Sequence, residues 1–346
     1  MSFEISVHPD SASLPTQFRG LLEEQASPFL DHKWFRIFEA QVAPHIGEPR
    51  WMCLRDGPAN YALLPMLERQ TGNTRLLTSM SNYYSPYFDL LTEAHYKEPY
   101  KHFVEAFSEV LKTYDVIELS PLTPKVSNGF RAAFRHLGWH CHRYPLSVNW
   151  REKDISNFQK YWANRPGQLR QAVTRKTKKV DKVPHRWVIT SDTPTDTQLA
   201  DYHRVYYHSW KPREPYPCFI DDLVAEFSAT SELTLGLLYI DERPVAAQIW
   251  MIRGEVAFIY KLAYDPAYQE LSPGTLLSAR LFEYAISSRG VTTIDYLTGN
   301  DGYKKQWTSE RRRLFGLQIA NPETFRGIRS AVRNRLSELR SCQHQN

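Results

Sequence analysis

Cysteine is scarce in this sequence, and the four present (Cys53, Cys141, Cys218 and Cys342) are scattered, with no CxxC pair among them. That spacing argues against a disulfide framework and a cysteine-rich zinc site, and it suits a reducing compartment. No apolar run approaches the roughly 20 residues that a membrane-spanning helix needs. Residues 1–20 are mixed and polar, without a basic n-region, an apolar core or a small-residue cleavage site, so a soluble, cytoplasmic chain is expected. Gly-x-Ser-x-Gly, the Walker loop and the dinucleotide fingerprint are all missing, which sets those enzyme classes aside. His136, His140 and His142 straddle a helix stop and a strand with no carboxylate or cysteine pair to complete a ligand set. His203 and His208 are five apart, off the face that zinc helices use, so no metal site is expected.

What is present begins with size and apolar content. A chain of 346 residues suits two domains of ordinary size, and 42% hydrophobic residues with abundant aromatics can bury real cores. The net charge of +5 is modest but unevenly placed. Arg165, Arg170, Arg175, Lys176, Lys178, Lys179, Lys182 and Arg186 crowd one segment, and Arg311, Arg312 and Arg313 form a second knot. Such local fields attract phosphates, nucleic acid or anionic lipid, although a solvated helix face explains any single one of these side chains equally well.

Periodicity divides the chain into two similar halves. Apolar spacing predicts helices over 28–42, 100–114 and 130–137, with strand-like runs at 51–54, 61–67, 115–119 and 139–150. The second half repeats the plan with better definition. A basic helix over 155–182 and a short strand at 187–190 lead to a helix over 198–210, which the Pro-rich stretch 212–217 ends. A hairpin (233–239 and 245–252, turned at Asp241-Glu242-Arg243-Pro244) and a third strand at 256–264 follow. A loop, a helix over 273–288, strands at 292–297 and 314–320, and a last arginine-flanked helix opened by Pro322 complete it. Val116-Ile117-Glu118-Leu119-Ser120 and Thr293-Ile294-Asp295-Tyr296-Leu297 occupy equivalent places, which reads as a domain-scale duplication with its boundary near 150–154.

The order hairpin, third strand, tight loop, long helix, strand, short helix, strand resembles the GNAT superfamily, and within it the FemAB-like, double-domain branch that includes CelD-like acetyltransferases. Tyr264-Asp265-Pro266-Ala267-Tyr268, Ser272-Pro273-Gly274-Thr275-Leu276-Leu277, Asp295-Tyr296-Leu297-Thr298-Gly299 and Tyr303-Lys304-Lys305-Gln306-Trp307 carry the resemblance. It covers most of residues 155–320, and the first half by organisation only. The fold it implies is α/β with mixed α+β sheets: a degenerate N-terminal GNAT-like domain over 1–150 and a C-terminal GNAT-like acyltransferase domain over 151–346 that ends in a basic helix.

The resemblance also implies a site. A helix N-terminus offers unpaired N–H groups and partial positive charge to a pyrophosphate. The family carries Gln/Arg-x-x-Gly-x-Gly/Ala there; this chain has Gln269-Glu270-Leu271-Ser272-Pro273-Gly274, with Ser for the first Gly and a proline that removes one donor. By resemblance, Lys261, Leu262 and Ala263 line the pantetheine arm of an acyl-CoA co-substrate such as acetyl-CoA, which Gln269, Ser272, Gly274, Thr275 and Asn300 help to hold. Tyr303 is the expected acid toward the leaving thiolate, and Asp295 the weaker candidate for orienting or deprotonating an amine acceptor. Packing alone accounts about as well for Tyr303, and a structural hydrogen bond better for Asp295. By resemblance, Tyr83 and Tyr87, in the aromatic loop Asn82–Tyr87, with Lys304 and Trp307, are the candidate contacts to a small-molecule, sugar or peptide acceptor between the halves, although a packed aromatic cluster explains the two tyrosines at least as well. The alternative donor is aminoacyl-tRNA, with the basic segments on RNA phosphates; a non-catalytic module for nucleic acid or an anionic partner is the third reading.

Overall fold

The structure is a computed structural model that describes residues 3–23 and 25–343, with side chains as far as residue 337 in the last helix. The chain forms two compact units: the first runs to Ser147 and resumes at Arg313, and the second is Val148–Arg312. It leaves the first unit within one strand, β7 (His140–Glu152), and returns within another, β13 (Glu310–Ala320).

In the first unit, β1 (Phe3–His8), β2 (Glu48–Asp56), β3 (Asn60–Thr71) and β4 (Thr74–Ser79) form an antiparallel meander. A two-residue strand, β5 (Leu91–Thr92), pairs with β3. The meander then meets β6 (Val116–Leu122) in parallel, as the helix Pro99–Ala106 and the turn of helix Ser108–Leu111 between β4 and β6 require. β6 pairs antiparallel with β13. The apolar face of this sheet packs on the helix Pro124–His136, whose Phe130 and Phe134 join Met52, Leu64, Phe103, Phe107, Leu317 and Ile319 in one core. Residues 313–343, grouped by sequence with the second half, therefore fold with the first, because Leu317 and Ile319 are buried in its core.

The second unit is built on a hairpin that its turn residues specify. β8 (His185–Thr190), β9 (Leu233–Ile240), β10 (Arg243–Arg253) and β11 (Val256–Tyr264) are successively antiparallel. Asp241 and Glu242 both take positive φ between β9 and β10, which is type I′ geometry. β9 and β10 are buried along nearly their whole length because helices cover them. The helix Asp196–His208 starts at a Thr195–Gln198 capping box. The helix Pro273–Ser287 lays Leu276, Leu277, Leu281 and Phe282 into a core shared with Trp250, Ile259 and Trp307.

Several helical expectations change. The helix expected over 100–114 is two, Pro99–Ala106 and Ser108–Leu111, broken at Phe107, and the one expected over 28–42 is a 3-10 turn, Pro28–Leu30, followed by the helix His32–Gln41, which Asp31 caps. The basic segment 155–182 is not one helix: Phe158–Ala163 and Gly167–Val180 are separated at residues 164–166, where Pro166 can neither donate a hydrogen bond nor follow a helical residue easily. The Pro-rich stretch does end the helix before it, yet Pro217 also opens a further helix, Pro217–Ser228, at a first-turn position where proline is favourable.

Candidate active site in the second unit

A strand that bends away from its neighbour creates the site. β12 (Thr293–Thr298) runs parallel to β11, but the two pair only from Val256↔Thr293 to Phe258↔Asp295. Beyond that point Leu297 takes a left-handed conformation, and the register of β12 against β7 shifts between Asp295 and Thr298. Asp295 holds this bulge. Its Oδ1 accepts from the Leu297 N–H at 2.7 Å and from Asn149 Nδ2 at 2.5 Å, and Asn149 Nδ2 also donates to the Leu297 carbonyl at 3.0 Å. Arg312 completes the group, donating from Nε to Asn149 Oδ1 at 2.6 Å with its Nη2 3.7 Å from Asp295 Oδ2. The buried Asp295 thus shapes the opening between β11 and β12. Along that opening lie Lys261, Leu262 and Ala263, whose pairing to β10 continues but whose pairing to β12 has ended.

The helix Pro273–Ser287 begins beside β11. Ser272, at its N-cap, has φ 53° and ψ 49°, and no side chain caps the helix, so the first-turn N–H groups are open to a ligand. Gly274 packs tightly there: a Cβ would stand 3.1 Å from the Tyr264 ring, which would have to give by a few tenths of an ångström. Its carbonyl accepts from Gln248 Nε2, which also donates to Ser278 Oγ. A pocket of about 280 Å³ opens at this helix start. It brings together Ser272 and Thr275, Tyr303 and Trp307, and, from the helix Gly167–Val180, Lys176. The Lys176 ammonium donates to the Glu270 carbonyl in the segment before the helix.

Tyr303 stands at the start of the short helix Lys304–Trp307, edge-on to Tyr296 with ring centroids 5.9 Å apart. It is 39% exposed at the pocket, but partial desolvation and the nearby Asp301 carboxylate push its phenol well above the ordinary value, so it remains protonated. Trp307 is buried, stacked on Phe282 with centroids 4.8 Å apart, and its carbonyl accepts from Tyr161 Oη and Arg165 Nη1, each at 2.8 Å. Arg165 also pairs with Glu152 at 2.8 Å, so this member of the basic run holds the unit together.

Three lysines converge nearby. Lys304 Nζ donates to the Thr298 carbonyl at 2.7 Å and lies 3.4 Å from Asp301; burial pulls its pKa down. Lys261 forms a buried ion pair with Glu214 at 2.8 Å, and desolvation lowers its pKa despite that partner. Lys211 is brought down to about 8 by burial and by the positive charges of Lys261 and Lys304. A lysine in that range is a usable base near neutral pH.

The pocket therefore unites Ser272, Thr275, Tyr303 and Trp307 of the residues singled out by sequence, and Lys304 adjoins it in the chain. Gln269 is exposed in a 3-10 helix, Pro266–Leu271, where a loop was expected, and Asn300 is exposed in the loop after β12. Tyr83, 64% exposed, and Tyr87, packed edge-on to Phe29, belong to the first unit. Sequence reasoning missed Lys211 and Glu214, hidden in the Pro-rich break. It also missed the inner face Gln168, Leu169, Ala172 and Lys176 of the basic helix, which its spacing of one, four and eight residues would have indicated. Arg170, Arg175 and Lys178 of that helix line a separate groove of about 490 Å³.

Residues 167–305 match the family model described as the acetyltransferase (GNAT) domain. No curated protein matches the sequence. Among solved structures, FemX is similar over 93% of this chain and 98% of its own, at 10% identity and a TM-score of 0.63. L-PGS from Bacillus licheniformis is similar over 95% of this chain and 97% of its own, at 14% identity and a TM-score of 0.55. A tandem GNAT protein from the clavulanic acid biosynthesis pathway matches over 93% of this chain and 100% of its own, at 13% identity and a TM-score of 0.51. At these identities the likeness is one of fold.

Proposed function

From its double-GNAT, FemAB-like fold, we infer that this chain is an acyltransferase whose second unit binds an acyl-CoA, such as acetyl-CoA, and passes the acyl group to an amine. The observation that carries the reading is the pocket joining an uncapped helix N-terminus to a protonated tyrosine beside the splay of β11 and β12.

The residues present fit such a donor. The open first-turn N–H groups, the Ser272 and Thr275 hydroxyls and Lys176 are suited to a pyrophosphate. Backbone groups of β11 beyond Phe258 are suited to the amides of a pantetheine arm. When bound, the thioester supplies an activated carbonyl and a thiolate leaving group. The amine nitrogen forms the new bond to that carbonyl carbon as the C–S bond breaks. Tyr303 gives its phenolic proton to the departing sulfur, and Lys211, neutral in part near pH 8, takes the proton that the amine releases. Trp307 and, next to Tyr303 in the chain, Lys304 border the space left for the acceptor, a small molecule, sugar or peptide.

A second reading keeps the fold and changes the donor to aminoacyl-tRNA. The cationic groove of Arg170, Arg175 and Lys178 favours it, because it lies on the same helix whose inner face lines the donor pocket. Thermal unfolding separates the two. A ligand at about 100 times its Kd stabilises by roughly 2.7 kcal/mol. A shift with acetyl-CoA and with CoA supports the first reading and opens a screen of amine acceptors. A salt-sensitive shift with tRNA alone replaces it with the second, and no shift with either removes both.

A further inference from the structure

The last helix, Phe325–Gln343, is amphipathic in the wrong sense for a helix whose only task is to cover a core. Gly327, Ser330 and Asn334 face the sheet of the first unit. Gly327 sits so close to the Asn321 backbone that a Cβ would collide with it. Ser330 Oγ and Asn334 Nδ2 both donate to Gln318 Oε1, at 3.1 and 2.6 Å, and Gln318 Nε2 in turn donates to Glu118 at 2.7 Å. A polar seam thus fixes the helix rotation.

The opposite face carries Phe325, Ile328, Val332 and Leu336, which are 81%, 49%, 51% and 51% exposed. At 3.6 residues per turn these four fall within an arc of about 80° across from the polar seam, and Val332 and Leu336 also border a groove of about 570 Å³ against Thr71, Thr74 and Leu76 of the first unit. Arg326, Arg329 and Arg333 flank the stripe on one side and Arg335 on the other, all exposed. Among residues 325–337 there is no acidic side chain.

We propose that this helix docks the protein on an anionic bilayer surface, with Phe325, Ile328, Val332 and Leu336 in the interfacial layer and the flanking arginines on lipid phosphates. An apolar stripe bordered on both sides by cations is the pattern of a helix lying in a membrane interface. A second copy of the chain would set the same arginines against each other, and a nucleic acid would leave the apolar stripe in water. The inference is independent of the acyl-transfer reading, since it uses no residue of the second unit.

Flotation of the full chain with lipid vesicles tests it. The protein is expected to float with phosphatidylcholine vesicles containing phosphatidylglycerol and to stay behind with phosphatidylcholine alone. Replacing Val332→Asp and Leu336→Asp together, or Arg329→Glu and Arg333→Glu together, weakens flotation by roughly tenfold or more. Should the aspartates lower the melting temperature, serines at the same two positions carry the test. The proposal fails if the native chain does not float. It also fails if the aspartate or serine pair floats as well as the native chain, since binding is then by charge alone. A dimer in light scattering that these pairs dissociate, without flotation, assigns the face to a second copy.

Discussion

A phenol can protonate a departing thiolate only while it holds its own proton, and Tyr303 does so because partial desolvation and the Asp301 carboxylate both oppose its ionisation. Removing the hydroxyl leaves the ring's packing against Tyr296 intact. Tyr303→Phe is therefore expected to lower kcat by a factor of roughly a hundred or more while donor affinity, read by calorimetry, stays unchanged. Lys211 gives the complementary pH signature. With its pKa near 8, turnover is expected to rise with pH up to about 8 and then level, and Lys211→Met should abolish that limb. The stability sign follows from the same shift: folded Lys211 binds fewer protons than the unfolded chain between about 8 and 10.5, so its contribution grows as pH rises through that window. Asp89 works in the other direction. Desolvation raises it to about 6 although Tyr100 Oη and the Leu90 N–H both donate to it at 2.8 Å. It favours folding below its ordinary value of 3.8, and that contribution is lost as pH rises through 6. Asp89→Asn should thus raise the melting temperature at pH 7 to 8, by at most about 3 kcal/mol in free energy, and give no gain near pH 4. Tyr303 was legible because a family pattern marks its place. The titrations of Lys211 and Asp89 were not, since each is set by burial and neighbours distant in sequence.

Between residue and fold, the start of the helix Pro273–Ser287 holds the most information. Proline at its first position announced it, and the turn residues Asp241 and Glu242 announced the hairpin before it. Hidden from local pattern were the left-handed Ser272 and the tight contact of Gly274 with Tyr264, which belong to tertiary packing. The two positions should respond differently. Ser272→Gly relieves a left-handed non-glycine residue and is expected to stabilise the protein by about 1 kcal/mol. The donor loses one hydroxyl but keeps the first-turn N–H groups, so the acetyl-CoA melting shift should shrink yet persist. Gly274→Val pushes against the Tyr264 ring and displaces the first turn, so the melting shift induced by acetyl-CoA should fall or vanish. The strands β1 and β4 went unread because short segments of mixed polarity carry too few periodic positions to declare themselves, whereas the helix Pro217–Ser228 shows its period in Phe219, Ile220, Leu223, Val224 and Phe227 and went unread behind the Pro-rich break.

At the scale of the whole molecule, chain order and compactness disagree, and the disagreement can be measured. The repeat of helix and strand motifs made the two halves legible. It could not show that β13 returns to pair with β6, because Gln318 and Glu118 meet across 200 residues of sequence and no local pattern records such a partner. The pairing has energetic weight. Leu314, Leu317 and Ile319 are fully buried, and at about 1.5–3 kcal/mol each they contribute roughly 5–9 kcal/mol of apolar burial, comparable to the net stability of a domain. Leu317 and Ile319 do so within the core of the first unit. A chain ending at Arg312 should therefore lose the fold of its first unit. Hydrogen exchange would read that as lost protection in β2, β3 and β6, whereas β9, β10 and β11, which pair only within residues 148–312, keep theirs. Protection retained in β6 would mean that the meander and its two covering helices suffice without β13. The first unit would then be a domain that the C-terminal segment merely decorates, and the seam of Gln318, Ser330 and Asn334 would be dispensable to it.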